Sequence, residues 1–182
     1  MAHDTNIEIS PRYFTLHNGR RLLVRGITPD DKYHFRSGIK RLSQQSTYYR
    51  FHSPLYELSE HDLGYFTEVD QENHVAIGAI DLDNNEKPGI GVARYIRLKQ
   101  NPSMAEMAIT VLDEYQRQGI GTILMNELHR LAYDRGIRSF KIYLHTERRK
   151  LVKWLIGLGA KVQRVSGEIV EIELPVFDVN SD

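Results

Sequence analysis

Two glycines between an apolar strand and an amphipathic helix are the feature of this sequence with the clearest chemical meaning. Residues 116–121 read Gln-Arg-Gln-Gly-Ile-Gly, after an apolar and β-branched segment at 105–112. A helix that begins at such a turn leaves its first backbone N–H groups without partners, at the positive end of the helix dipole. Because glycine has no Cβ, a phosphate can approach these N–H groups closely. The pattern predicts an anion site, but it is equally typical of a tight turn with close packing, and the residues alone leave both open.

Glu106 is the candidate base in the strand before this turn. Its neighbours at 105–112 are apolar apart from one threonine. In such surroundings, loss of hydration would raise the pKa of the carboxyl group and make it a stronger base. The alternative is a glutamate at the strand edge that faces solvent or pairs with an arginine.

Other catalytic patterns are absent from the sequence. It contains no Gly-x-Ser-x-Gly elbow, His-Glu-x-x-His helix, phosphate-binding Gly-Lys-Ser/Thr loop or calcium loop. There is no cysteine, which excludes disulfides, thiolate zinc sites and a cysteine nucleophile. The eight histidines are scattered without metal-ligand spacing, so we expect no metal.

Length and charge indicate an ordinary globular chain. With 182 residues, 41% hydrophobic and 26% charged, it most simply forms one domain. We expect a flexible leader at 1–12, the domain at 13–176 and a tail at 177–182. The 24 basic and 24 acidic residues give no net charge to attract nucleic acid or an anionic membrane, and we expect neither as a partner. Lacking a signal peptide and an apolar span, the chain is expected to be cytoplasmic.

The elements that must position these residues can be read along the chain. Segments 13–16 and 21–27 flank Asn18-Gly19, which predicts a hairpin. A helix should start after Thr28 with Tyr33, Ile39 and Leu42 facing inward. A short helix and loop should follow at 43–56, and Ser59 should cap another short helix. Segments 74–80, 90–98 and 105–112 read as an antiparallel meander.

The helix after the glycines should end at Gly136. Its spacing predicts buried Ile120, Leu124, Leu128 and Leu131, with Asn126, Glu127, Arg130 and Asp134 in water. Segment 139–144 should be a strand parallel to 105–112. A last helix at 147–158 should bury Leu151, Trp154, Leu155 and Leu158, and 161–165 with 169–173 should form a hairpin.

The glycine motif resembles the acetyl-CoA-binding signature of the GNAT N-acetyltransferase superfamily, with Gln116, Gly119 and Gly121 at its three defining positions. The preceding Ala105-Glu106 and the later segment 154–159 also resemble GNAT features. Segments 47–54, 57–59 and 66–70 are similar to the GNAT domain of bacterial protein-lysine acetyltransferases. Over residues 20 to 165, the resemblance implies an α/β (α+β) fold: a mixed, mainly antiparallel twisted sheet of about six or seven strands, flanked by about four helices.

The resemblance also implies a function, the transfer of an acetyl group from acetyl-CoA to a primary amine by direct attack in a ternary complex, with protein lysine as the leading acceptor. Glu106 matches the position of the general base. Val111 and Leu112 occupy the strand end that pairs with pantetheine and provides an oxyanion donor. The pyrophosphate should lie on the backbone N–H groups of 116–122, and the side chains of Arg117 and Gln118 should be its neighbours. The residues expected to bind the coenzyme are Val111, Leu112, Gln116, Arg117, Gln118, Gly119, Ile120, Gly121, Thr122 and Arg148.

Two positions depart from the family pattern. Arg148 stands where an asparagine contacts CoA, and Leu155 stands where a tyrosine protonates the leaving thiolate. Arg148 is expected to contact the 3′-phosphate of CoA together with Arg149, Lys150 and Lys153, and the alternative is that this basic run is a solvated helix face. Tyr143, Tyr115 or water are alternative acids. The missing groups motivate a second hypothesis, an acyl-CoA-binding sensor or regulatory module without catalysis. A small-molecule acetyltransferase for polyamines or amino acids is a third, and a homodimer stays open.

Overall fold

The computed structural model describes residues 7–52, 57–86 and 88–179. Within these ranges the chain forms eight β-strands and five α-helices. In chain order they are β1 (Arg12–Thr15), β2 (Arg21–Gly26), α1 (Lys32–Arg41), α2 (Gln44–Phe51), α3 (Glu60–Thr67), β3 (His74–Asp81), β4 (Gly89–Leu98), β5 (Asn101–Val111), α4 (Ile120–Asp134), β6 (Ser139–His145), α5 (Arg149–Gly157), β7 (Lys161–Ser166) and β8 (Ile169–Pro175).

The strands form one sheet in the order β1-β2-β3-β4-β5-β6-β8-β7. The β5–β6 pair is parallel, whereas β1–β2, β2–β3, β6–β8 and β7–β8 are antiparallel. The predicted mixed α/β fold is therefore confirmed. The described part of the chain has eight strands and five helices, compared with the six or seven strands and four helices expected. The short hairpin arm β1 and the short helices α2 and α3 account for the difference.

The chain divides into two compact units, Met1–Arg94 with Ile109–Met125, and Tyr95–Ala108 with Asn126–Asp182. In the first unit, the predicted hairpin is confirmed: β1 pairs with β2 and Gly19 has φ +82°. The apolar residues of β2 and β3 are buried, including Leu22, Val24 and Ile77. Removal of each such side chain from water contributes roughly 1.5–3 kcal/mol to folding. Ile9, inside the expected leader, is also buried.

Capping residues set the helix starts of the first unit. Thr28 and Asp31 form a capping box around a 3₁₀ turn at Pro29–Asp31 that leads into α1. The side-chain oxygen of Ser43 accepts from the N–H of Ser46 at the start of α2, and Ser59 does the same for Asp62 at the start of α3. These helix starts agree with the prediction. The end of the predicted loop at 53–56 lies outside the described residues.

One predicted face of α1 is wrong. Ile39 is buried, but Tyr33 is 66% exposed and Leu42 is only partly buried, at the residue that follows the helix. Tyr33 lies six residues before Ile39, which places it on another face of the helix, and Leu42 follows the last helical residue. Helix α1 therefore buries a narrower stripe than its apolar residues suggest.

The second unit contains the parallel pair and the C-terminal hairpin. Met104–Glu106 pair with Ser139–Lys141, β8 pairs with β6, and β7 pairs with β8. The rings of Tyr95 and Phe140, both fully buried, lie 5.9 Å apart. The parallel strand and the hairpin were both predicted, although β5 begins at Asn101, four residues earlier than expected.

Helix α4 confirms the predicted apolar stripe, since Ile120, Leu124, Leu128 and Leu131 are all buried. Glu127 was predicted to face water, but it is buried. Its carboxylate lies 3.0 Å from the guanidinium of Arg130, one helical turn away, and this pairing compensates the carboxylate for its lost hydration. Gly136, the predicted stop of this helix, has φ +77° and lies just after the last residue of α4, Asp134.

Helix α5 is shorter than predicted and buries less. Leu155 is buried, but Trp154 and Leu158 are each 38% exposed, which contradicts the predicted inward face. Because α5 ends at Gly157, Leu158 follows the helix instead of continuing its inner stripe. Gly159, with φ +95°, is the predicted stop. Among the helices in the described ranges, none combines the length and apolar character needed to cross a membrane.

Candidate functional site

The glycine loop at 116–119 leads directly into α4. Arg117 and Gly119 both have positive φ, +60° and +87°. The N–H of Ile123 donates to the carbonyl of Gly119 over 3.0 Å, so Gly119 supplies the first acceptor of the helix. The N–H groups of Ile120, Gly121 and Thr122 precede this first helical bond. Three donors and the positive end of the α4 dipole therefore lie at one point of the chain, which is the arrangement that favours an anion.

The space around the two glycines distinguishes a role in anion binding from a role in close packing of the turn. A Cβ placed on Gly119 or Gly121 would meet no atom of the described residues within 4 Å. Gly91 of β4 shows the contrast, since a Cβ there would lie 3.2 Å from the carbonyl oxygen of Thr110. Gly119 is explained by its φ. Gly121 has neither positive φ nor a close neighbour, so packing within the protein gives no reason for a glycine there.

The glutamine side chains of the loop bond to the protein's own backbone. Nε2 of Gln116 donates to the carbonyl of Val111 over 3.0 Å, and Nε2 of Gln118 donates to the carbonyl of Glu114 over 3.0 Å. Oε1 of Gln118 accepts from Nδ2 of Asn18 at 3.3 Å. Arg117 is exposed, and its guanidinium has no hydrogen bond to another described residue. Arg117 is thus the side chain of this loop that is available to a ligand.

A polar cluster anchors the turn before the loop to α2. Asp113 accepts hydrogen bonds from the N–H of Ser43 (2.9 Å), Oγ of Ser43 (2.9 Å) and Oγ of Ser46 (2.7 Å). Burial alone would raise the pKa of Asp113, but these bonds outweigh it and hold the pKa below its usual value. Asp113 is therefore a carboxylate at neutral pH.

A second cluster anchors the same turn to the N-terminal hairpin. The hydroxyl of Tyr115 donates to Asp81 over 3.0 Å, and Arg20 forms an ion pair with the same carboxylate, which has no exposed area. The guanidinium of Arg20 also lies 5.3 Å from the centre of the Tyr115 ring. Both anchors act on residues 113–115, next to the glycine loop, and hold it before any ligand arrives.

At the end of β5, where an oxyanion donor was predicted, some backbone groups already form hydrogen bonds within the protein. The N–H of Leu112 donates to the carbonyl of Ile90 over 3.0 Å, and Leu112 is buried. The carbonyl of Val111 accepts from Gln116. Leu112 is thus held within the first unit by a β4 carbonyl, and the oxyanion-donor role expected of this strand end stays a prediction.

Glu106 and Arg148 lie in the second unit. Ala105 and Met107 are buried while Glu106 is exposed, so the strand alternates and the apolar surroundings expected around this carboxyl group are wrong. Arg148 is half-buried before α5, and its N–H donates to the carbonyl of His145 over 2.9 Å.

The candidate acids differ in availability. Leu155 is buried and has no proton to give. Tyr115 is also buried, and its hydroxyl both donates to Asp81 and accepts from Asn84, so it is occupied. Of the two tyrosines considered, Tyr143 is therefore the one left as a candidate acid, and it is 37% exposed.

The sequence did not predict the apolar cleft in the first unit, although the GNAT resemblance offered residues 48–51 either as packing against the core or as the wall of an acceptor site. The cleft lies among α1, α2, α3 and β2 to β4, and it also reaches Thr110 and Leu112 at the end of β5. Arg94 lines it and is 4% exposed. The available signal was an arginine in the middle of an apolar strand pattern, between Ala93 and Tyr95, where burial of a charge needs a reason.

A mixed sheet with a glycine loop at a strand-to-helix turn is compatible with a coenzyme site, and comparison with known sequences identifies the class of protein as an acyltransferase. The sequence model of the Acetyltransferase (GNAT) family matches residues 35–154. The chain belongs to this family of acetyltransferases, whose co-substrate is acetyl-CoA.

Individual relatives support the same family. The chain is 31% identical over 175 residues to acetyltransferase Pat of Mycolicibacterium smegmatis, covering 93% of this chain and 51% of that protein. It is 29% identical over 125 residues to acetyltransferase PA5475 of Pseudomonas aeruginosa, covering 69% of this chain and 67% of that protein. The chain therefore spans about half the length of the mycobacterial relative.

Among solved structures, the GNAT domain of S. lividans PAT is similar with a TM-score of 0.81 and 28% identity. The match covers 91% of this chain and 96% of that domain. The predicted resemblance to GNAT domains of bacterial protein acetyltransferases is confirmed by this match.

Proposed function

We propose that this chain transfers an acetyl group from acetyl-CoA to a primary amine, with protein lysine as the leading acceptor. One observation carries the proposal: Gly121 has open space and ordinary backbone geometry beside the unpaired N–H groups that begin α4. A glycine without an internal reason fits close approach by a pyrophosphate. Arg117 would add a charge-assisted contact, and the two glutamines would support the loop from behind.

In this proposal Glu106 acts as the general base, directly or through a water. A lysine ammonium has a pKa of about 10.4, so it must lose a proton before it attacks. The neutral nitrogen adds to the thioester carbonyl carbon, and the tetrahedral intermediate collapses with cleavage of the carbon–sulfur bond. The nitrogen gives up its second proton to water as the amide forms, and the departing CoA thiolate takes a proton from Tyr143 or water. The exposure of Glu106 suits a base that must meet the amine or a water from solvent.

Glu106→Gln tests this assignment, because it removes the basic oxygen while keeping the shape of the side chain. We expect kcat to fall by about 10²–10⁴-fold, as for loss of a general base, with an unchanged Kd for acetyl-CoA. Turnover is measured with a library of lysine peptides and small amines, and the Kd by calorimetry. The control is Glu72→Gln, which changes an exposed glutamate in the other unit. Full turnover by the Glu106 variant would remove Glu106 from the mechanism.

The sensor hypothesis is favoured by Leu155 at the position of the usual acid. Stabilisation by acetyl-CoA on heating, without CoA release from any acceptor in the library, would select it over catalysis. Small-molecule amines remain the alternative acceptors, and the same library compares them with peptides. We further propose the cytoplasm as the compartment, where acetyl-CoA and lysine-bearing proteins would meet.

A further inference from the structure

The cleft in the first unit is an open concave surface. The space between its walls is about 800 Å³ when the open solvent at its mouth is included. Three phenylalanines line it, Phe35, Phe51 and Phe66, and the rings of Phe35 and Phe66 are stacked 5.8 Å apart. Because Thr110 and Leu112 also line the cleft, it adjoins the strand end that leads into the glycine loop.

Arg94 brings a positive charge into this apolar cleft. One guanidinium nitrogen lies 3.1 Å from Nε2 of His74, and another donates to the carbonyl oxygen of Phe66 over 3.2 Å. The guanidinium carbon lies 4.7 Å from the centre of the Phe66 ring. None of these partners carries a net charge. Among the described residues, no carboxylate lies within salt-bridge distance of Arg94.

The charge on Arg94 persists despite its surroundings. Burial, and then repulsion from the guanidinium of Arg50, lower the pKa of Arg94 to about 9, so it remains protonated at neutral pH. Burial, and then the charge of Arg94, lower the pKa of His74 to about 4. His74 is therefore neutral, and its Nε2 accepts from Arg94 while Nδ1 carries the proton. A neutral histidine orients the guanidinium without cancelling its charge.

The other charged groups of the lining do not supply the missing anion. Asp31 is bonded to Arg25 through both carboxylate oxygens, at 2.7 and 2.8 Å. Burial alone would raise the pKa of Asp31, but Arg25 and the N–H of Thr28 hold it low, so this pair is internally neutral. Arg50 adds a further positive charge to the lining. Among the described residues of the lining, arginines outnumber carboxylates, which disfavours a polycationic ligand.

A buried cation without a counter-ion is costly unless a ligand supplies one. We propose that this cleft docks the acceptor substrate, and that Arg94 pairs with a carboxylate that flanks the acceptor amine. The inference rests on the proposed function, for which it names a substrate class: an amine with a neighbouring carboxylate and apolar groups. The carboxylate belongs to an Asp or Glu near the target lysine, or to a free amino acid, and both present the same group to the guanidinium fork. The acceptor ammonium itself is kept out of the cleft by the arginines.

Two matched substrate series test the proposal and separate these sources. In the first, a lysine peptide carries one Glu at each of the three positions on either side of the lysine, and each is compared with its Gln counterpart. In the second, free lysine is compared with 1,5-diaminopentane, which lacks only the carboxylate. We expect a preference for the carboxylate on the order of tenfold in kcat/KM in at least one pair, the size of one charge-assisted bond. The series that shows it identifies the source.

Arg94→Gln should abolish this preference, which is measured as the ratio of kcat/KM for each Glu peptide to that for its Gln counterpart within the same variant, so that a general loss of activity does not imitate the result. Arg97→Gln, on the same strand but outside the cleft lining, should keep the preference. If Arg94→Gln does not fold, Arg94→Lys keeps the charge and must retain a reduced preference. No preference in the parent, or an undiminished one in Arg94→Gln, would overturn the inference.

A binding measurement separates this inference from the proposed function. Fluorescence anisotropy of labelled Glu and Gln peptides requires no turnover. Tighter binding of a Glu peptide that is lost in Arg94→Gln would support the cleft assignment even if no acceptor were acetylated. Acetylation of lysine peptides with equal binding of Glu and Gln peptides would leave the enzyme in place and overturn the role of Arg94.

Discussion

At the scale of single residues, a buried histidine limits the stability of the second unit in acid. His129 has no exposed area, and neither ring nitrogen has a hydrogen-bond partner in the described residues. Its ring stacks on Phe177 at 4.1 Å and meets Phe140 edge-on at 5.2 Å. Burial lowers the pKa of His129 to about 4. The folded protein therefore holds a neutral imidazole among aromatic rings.

The consequence is a decrease in stability as pH falls from about 6.5 to 4. The unfolded chain binds a proton at this imidazole below pH 6.5, whereas the folded chain does so only near pH 4. His129 alone should reduce the free energy of unfolding by about 2 kcal/mol between pH 7 and pH 5, and His74 acts in the same direction.

His129→Leu should flatten this dependence, because leucine has a similar volume and no proton to bind. Urea unfolding at pH 7, 6 and 5 gives the free energies. His17→Asn changes an exposed histidine in a turn and serves as the control. An acid slope as steep in His129→Leu as in the parent would contradict the account of the buried ring.

At the scale of elements, the beginning of α4 can be altered without disturbing the fold. Position 121 lies in the first turn of the helix, with open space where a side chain would project. A non-glycine residue there lowers the entropy of the unfolded chain and should stabilise the helix by about 0.5–1 kcal/mol. The same side chain would occupy the space next to the unpaired N–H groups.

Gly121→Ala and Gly121→Leu should therefore separate stability from binding. We expect both to unfold at or above the temperature of the parent, Gly121→Ala to weaken acetyl-CoA binding less than Gly121→Leu does, and Gly121→Leu to lose at least tenfold in affinity. Thermal unfolding and calorimetric titration measure the two effects. Undiminished binding by Gly121→Leu would move the pyrophosphate away from this loop.

Local patterns in the sequence were sufficient for most elements. The caps at Thr28 and Ser59, and the 3.6-residue repeat of α4, can each be recognised from a few neighbouring residues. The GNAT resemblance is carried by residues equally close together, Gln116 to Gly121, and the family match confirms it.

The errors concern properties that depend on distant residues. Trp154 and Leu158 have the right spacing for burial, but Leu158 follows the end of α5, and Trp154 lies within α5 and is still exposed. Glu127 is buried because Arg130 pairs with it, and Glu106 is exposed because β5 alternates at that point. Arg94 could be suspected from its strand, but the cleft around it combines helices and strands that no local pattern brings together.

At the scale of the whole chain, segments far apart in sequence hold the glycine loop in place. Asp81, at the end of β3, binds Arg20 from the hairpin and Tyr115 from the turn before the loop. Ser43 and Ser46, at the start of α2, bind Asp113 in the same turn before the loop. The conformation of the loop is thus a property of several elements.

Asp81→Asn should cost about 2 kcal/mol in the free energy of unfolding, because it removes the charge from a buried, paired carboxylate. It should also weaken acetyl-CoA binding, although Asp81 lies outside the loop. Asp83→Asn, which affects an exposed ion pair with Arg21, should cost less than about 1 kcal/mol and leave binding intact. Equal effects in the two variants would show that Asp81 does not support the loop.

The contact between Asn18 and Gln118 joins residues 100 positions apart in the chain. A substitution in the first hairpin can therefore behave like a defect in coenzyme handling, even though it is remote from any reacting atom. In a collection of natural relatives, the identities at positions 18, 20, 81, 115 and 118 should change together. A lineage that loses the hairpin turn should acquire a new support for its loop elsewhere.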